Sequence, residues 1–114
     1  MPKYMVLYRS SVPATEQIAG SDEEAADAGM QLWMAWATRV GAAVTDMGSP
    51  LSGVGMVTSS GSNAEASRPF VCGFSILEAD SVAAAIKLLD DHPHFHAPGD
   101  SSIEVLEFLP IPGM

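Results

Sequence analysis

Residues 73–106 read G-F-S-I-L-E-A-D-S-V-A-A-A-I-K-L-L-D-D-H-P-H-F-H-A-P-G-D-S-S-I-E-V-L, and few folds accommodate that order. The aromatic and branched residues of 70–77 predict a strand. Asp80 or Ser81 then caps a helix that runs to about residue 90, because either side chain can accept from an amide of the first turn. Pro93 pushes the residue before it out of the helical region, which fixes the helix end near His92. A histidine-rich turn follows, and a last strand is predicted over 103–109. Every histidine of the chain lies in this run.

Upstream, residues 3–8 form an apolar and aromatic strand, expected to be central in its sheet, and the polar, proline-containing stretch 9–20 reads as a loop. Ser21-Asp22-Glu23-Glu24 has the S-x-x-E form of a capping box and predicts a helix start at Ser21. Met30, Trp33, Ala37 and Val40 make its apolar stripe, Leu32 and Trp36 widen it, and Gly41 is a natural stop. Residues 42–47 are short and mixed, and Gly48-Ser49-Pro50 punctuates them. Residues 51–58 then predict a bent or bulged strand. Residues 59–68 carry no periodicity and read as a mobile, flap-like connection.

The resulting order, β-α-β-β-α-β, is the split βαβ unit of ferredoxin-like α+β domains: an antiparallel sheet with two helices on one face. Strand alternation leaves apolar side chains on both sheet faces, with Phe74 and Ile76 opposing Val71, Gly73, Ser75 and Leu77. A partner subunit is expected to cover the second face, giving a homodimer packed sheet to sheet.

Composition narrows the function. At 114 residues the chain is one domain, taken as residues 1–109 with a tail over 110–114. A formal charge of −9 with no Lys/Arg cluster disfavours nucleic acid. No apolar stretch approaches the roughly 20 residues of a membrane helix, and the N-terminus lacks the pattern of a secretory leader, so a cytoplasmic location is expected. The single cysteine, Cys72, sits between Phe70-Val71 and Phe74 and reads as a packed thiol rather than a nucleophile.

K-Y-M-V-L-Y-R near the start, W-x-x-W-A in the first helix, D-M-G-S-P-L after it, G-F-S-I-L-E-A-D-S, then H-P-H-F and S-I-E-V together resemble the YCII-related family over nearly the whole chain. The resemblance implies a ferredoxin-like fold paired as a dimeric α+β barrel. Some YCII-like proteins carry a His–Asp pair in a cleft, suggestive of acid–base catalysis, and at least one relative is associated with dehalogenation in aromatic catabolism. This chain departs from one large branch at two points. Arg68-Pro69-Phe70 stands in place of D-G-P-F, and the first helix holds no histidine.

Candidate site residues follow from chemistry. Asp46, in a segment poor in charge, is read either as a partly buried carboxylate that orients an imidazole or acts as a base, or as a turn residue bonding nearby backbone. His92 and His94 flank Pro93; His92 is read chiefly as complementing the C-terminus of its helix, and His94 either as a proton shuttle or as a loop-bonding residue. His92, His94 and His96 form H-x-H-x-H, which on an extended backbone would point three imidazoles to one side near Asp90, Asp91 and Asp100. Pro93 and Pro98 break that extension, and neither a metal nor another cofactor is expected. Trp33 reads as core and Trp36 as the better cleft residue, while Tyr8 offers a hydroxyl donor at a strand end. The leading expectation is cofactor-independent acid–base chemistry of a lyase, isomerase or hydrolase type on a small aromatic or lactone-like compound. Asp46 and His94 would be catalytic, with Tyr8, Trp36 and His92 binding the ligand. The alternative is a noncatalytic small-molecule-binding or regulatory dimer.

Overall fold

The computed structural model describes residues 1–63, 70–96 and 99–113. In chain order these form β1 (Lys3–Ser10), α1 (Ala14–Ala19), α2 (Glu23–Val40), β2 (Val44–Pro50), β3 (Met56–Thr58), β4 (Gly61–Asn63), β5 (Phe70–Glu78), α3 (Val82–Leu88) and β6 (Ser102–Glu107). Short 3₁₀ turns occupy Gly41–Ala43 and Pro93–His96. A four-stranded sheet has the order β2-β5-β1-β6 with antiparallel neighbours, and β3 and β4 form a separate hairpin. This mixed α+β arrangement is compatible with a ferredoxin-like fold. Strand β1 is central, as its apolar composition predicts. Among the described residues no helix is long and apolar enough to cross a membrane.

Alternation along β1 sorts the sheet into two faces. Tyr4, Val6, Tyr8 and Ser10 are buried while Met5, Leu7 and Arg9 are only half-buried. Helix α2 packs Trp33, Trp36, Ala37 and Val40 onto Val6, Tyr8 and Leu77. Helix α3 packs Ala84, Ala85 and Leu88 onto Tyr4 of the same face. The Trp36 indole donates to the Leu88 carbonyl at 2.9 Å, tying α2 to the end of α3. The opposite face carries Met5, Leu7, Phe74, Ile76 and Leu106, paired across the strands and covered by no element among the described residues. There Arg9 and Glu104 form a half-exposed ion pair at 2.7 Å, a geometry contributing at most about 1 kcal/mol.

Several local expectations are corrected. The α2 cap is Asp22, whose Oδ1 accepts from the Ala25 amide at 2.7 Å, while the Ser21 hydroxyl donates to the Gln17 carbonyl instead of forming a capping box. That carbonyl is available because residues 9–20 are not a plain loop. They hold the end of β1 and α1, a six-residue helix with no side-chain N-cap bond. Strand β2 lies earlier than expected and runs through Gly48-Ser49-Pro50, whereas residues 51–55 are irregular. Gly48 permits this. Its φ is +79° and a Cβ there would stand 1.6 Å from the Phe74 carbonyl oxygen, so the bulge exists only with glycine. The described part of the expected connection over 59–68 includes β4, and residues 64–69 lie outside the described set. Ser81 caps α3, accepting from Ala84, and the helix stops at Leu88 rather than Asp90. The last strand is likewise shifted, to Ser102–Glu107.

Candidate functional site

Tyr8 anchors the site because β1 turns it onto the helix-covered face. Its hydroxyl donates to Ser75 Oγ at 2.8 Å, and Ser75 Oγ donates to the Met47 carbonyl at 2.7 Å. This carbonyl falls where the β2–β5 register slips between Asp46 and Ser49, so the serine takes the place of a ladder partner. Burial pushes the Tyr8 phenol up to about 12, with the Ser75 hydrogen bond pulling the other way. At neutral pH it is an uncharged ring whose hydroxyl is already engaged.

On one side of Tyr8 lies a closed aromatic box. His92, fully buried, stacks on Tyr8 with centroids 4.8 Å apart and meets Trp33 and Trp36 near edge-on at 4.6 and 4.4 Å. The turn after α3 aims it there, with Asp91 at a φ of 54° reversing the chain. The His94 amide donates to His92 Nδ1 at 2.9 Å, which leaves the ring proton on Nε2, a buried atom with no hydrogen-bond partner among the described residues. Burial first, then the neighbouring His94 and Arg39, push the His92 pKa down to about 3. His92 is thus a neutral core ring, not a cation complementing the helix end.

On the other side is a cleft of about 260 Å³. Its walls include Tyr8, Trp33, Met47, Cys72, His94 and, from α1, Gln17. Cys72 reaches this side because the β1–β5 register shifts between Tyr8 and Arg9, where Tyr8 opposes Gly73 and Arg9 opposes Val71. Its thiol lies 3.5 Å from both the Val12 carbonyl and Gln17 Nε2, and burial pushes its pKa up. It is the packed thiol the sequence suggested. Gln17 Nε2 also donates to the Val12 carbonyl at 2.7 Å, which fastens α1 over the cleft. His94 is buried, and its Nε2 is 2.8 Å from the Arg9 carbonyl, so this nitrogen carries the proton. Burial lowers the His94 pKa, against the raising effect of backbone hydrogen bonds to Arg9 and Ser102.

The structure therefore brings Tyr8 and His94 to one cleft and sets His92 directly behind them. It does not bring Asp46 there. Asp46 is exposed and its Oδ1 accepts from the Gly48 amide at 2.8 Å, which is the turn role. The tryptophans exchange their expected places. Trp36 is buried against β1 and β5 and is not among the residues that line this cleft, whereas half-buried Trp33 forms part of its wall. The three histidines diverge as well, since Pro93–His96 is a 3₁₀ turn: His92 enters the box, His94 borders the cleft and His96 is exposed. Among the described residues no three His, Cys, Asp or Glu side chains converge; Pro98 lies outside that set.

Sequence reasoning missed Gln17, Met47 and the cleft-facing turn of Cys72. Gln17 lies on a helix with no cap signature, and the others depend on bulges that alternation alone does not locate. Chemically, the cleft offers apolar and aromatic surface, a neutral imidazole and, among the described residues, no lining carboxylate. No protein-family model matches the chain, and neither does any curated protein.

Proposed function

We propose that this chain is a small-molecule-binding domain whose cleft takes a compact, uncharged, ring-sized compound. The observation that carries the reading is the composition of the cleft. Apolar Trp33, Met47 and Cys72 surround a few uncharged polar groups, those of Tyr8, Gln17, Ser49 and His94, the pattern of a site that binds by burial and orients by few polar contacts. In a thermal melt, 2-naphthol is expected to raise Tm in the wild type and to leave Trp33→Ala unshifted. Saturation at a hundred times Kd would add about 2.7 kcal/mol. Equal shifts in both proteins, or none in the wild type, reject the reading.

The uncovered sheet face supports a second element of the proposal, a homodimer packed sheet to sheet through Met5, Leu7, Phe74, Ile76 and Leu106. Sheet order and dimer would then agree with the ferredoxin-like, YCII-related resemblance of the sequence. Replacing Leu7 and Phe74 by Lys would halve the mass measured by sedimentation if this face is the interface.

An acid–base reaction at the same cleft is a second reading, favoured by one observation: His94 borders the cleft and burial lowers its pKa. With Asp46 turned to Gly48, His94 would act without it, and only through Nδ1, because Nε2 donates to Arg9. Turnover of a bound compound that disappears in His94→Gln but persists in Asp46→Asn would establish this reading over simple binding.

A further inference from the structure

The cleft does not end at α1. A larger outer groove of about 710 Å³ runs between α1, α2 and the Pro93–His96 turn. Gln17, Ile18, Met30, Trp33 and His94 line both cavities, so the two adjoin along these five residues. Alone, the inner cleft of about 260 Å³ is smaller than most ligand sites, roughly 300–1,000 Å³, whereas the adjoining groove falls within that range. The groove's surface is unlike a solvated helix face. Ile18, Met30 and Leu32 stand 62, 60 and 51% exposed along it, and Ala25, Ala28 and Gly29 keep its α2 wall low. Glu16 is the one charged side chain among the described residues lining it, and no Lys or Arg does so.

We infer that the ligand is an uncharged amphiphile longer than the cleft, with a ring-sized head against Trp33 and an apolar arm lying along the outer groove over Ile18, Met30 and Leu32. This rests on the reading of the inner cleft as a ligand site and adds the second half of the ligand. Because the two cavities adjoin at Trp33 and His94, one occupant that passes these residues reaches both. Glu16, with no Lys or Arg among the described residues lining the groove, disfavours an arm ending in a carboxylate.

The test compares 2-naphthol, 6-hexyl-2-naphthol and the hexyl compound ending in a carboxylate, by isothermal titration calorimetry. A fully buried methylene strengthens binding about fourfold, so an arm partly buried in an open groove should bind at least tenfold tighter than the head alone. The carboxylate should forfeit most of that gain. Ala28→Leu and Ala25→Leu raise the groove floor at positions where leucine suits a helix and the chain still folds; each should leave 2-naphthol affinity unchanged and reduce the gain from the arm to under twofold. If 2-naphthol binds and the hexyl arm adds nothing, or its gain survives both variants, the inference falls while the cleft remains a site. If neither probe binds, both fall. Sedimentation of the same variants closes the remaining route. A lower mass in Ala28→Leu would mean that a second copy of the chain covers the groove, which overturns the inference.

Discussion

Tyr8 and Trp33 each border two spaces, and the two spaces have opposite fates. Behind them the His92 ring fills an aromatic box so fully that no solvent reaches it. In front of them lies the cleft, bounded by His94, Cys72 and α1. The same aromatic wall thus closes the core on one side and, in the reading proposed above, faces a ligand on the other. What differs is whether the chain supplies a side chain to fill the space, and residues two apart in sequence, His92 and His94, make that difference.

The largest effect expected from breaking this arrangement comes at the cleft's far wall. Gly48→Ala places a methyl against the Phe74 carbonyl at a φ of +79°, and should cost about 4 kcal/mol or prevent folding altogether, measured by chemical denaturation. A loss below 1 kcal/mol would mean that the β2 bulge is not as described.

Next is the box itself. His92→Ala empties a buried ring site and should cost about 3 kcal/mol. Titration probes the same ring without mutation. The folded-state pKa of His92 lies near 3 against an ordinary 6.5, so below pH 6.5 the unfolded chain binds a proton that the folded chain excludes. Stability is therefore retained above pH 6.5 and falls as pH drops toward 3, by about 1.4 kcal/mol per unit from this group. His92→Phe should show a slope shallower by that amount. An unchanged slope would place the titrating group elsewhere, His94 being the other histidine lowered by burial.

How much of this was legible in the sequence depends on what each element uses to declare itself. Strands β1 and β5 are runs of aromatic and branched residues, and Ser81 caps the start of α3, so these features are readable from local chemistry, whereas the end of α3 at Leu88, ahead of Pro93, is not. Helix α1 has no side-chain cap bond and begins after Pro13 in a polar stretch, so its position comes from tertiary support such as the Gln17–Val12 bond. Gly48-Ser49-Pro50 resembles turn punctuation because only the neighbouring β5 backbone reveals that the glycine lies inside a bulged strand. Helical spacing puts Trp33 and Trp36 on one broad stripe, but which of them faces the closed core is decided by α3, whose Leu88 carbonyl takes the Trp36 indole proton. Asp46 is ambiguous for a related reason: its place beside Gly48 fits a turn role and a partly buried carboxylate equally, and only the fold decides its distance from the histidines.

The smallest effect sharpens that last point. Asp46→Asn keeps an acceptor for the Gly48 amide and should change stability by only about 0.5 kcal/mol or less, with 2-naphthol affinity unaffected. A tenfold loss of affinity would return Asp46 to the binding site.

The two indole N–H signals in a ¹H–¹⁵N spectrum test the division between box and cleft most directly. Upon titration with 2-naphthol, the Trp33 signal should move in a saturable way while that of Trp36, buried and bonded to Leu88, stays in place; movement of Trp36 with Trp33 unchanged would contradict the account.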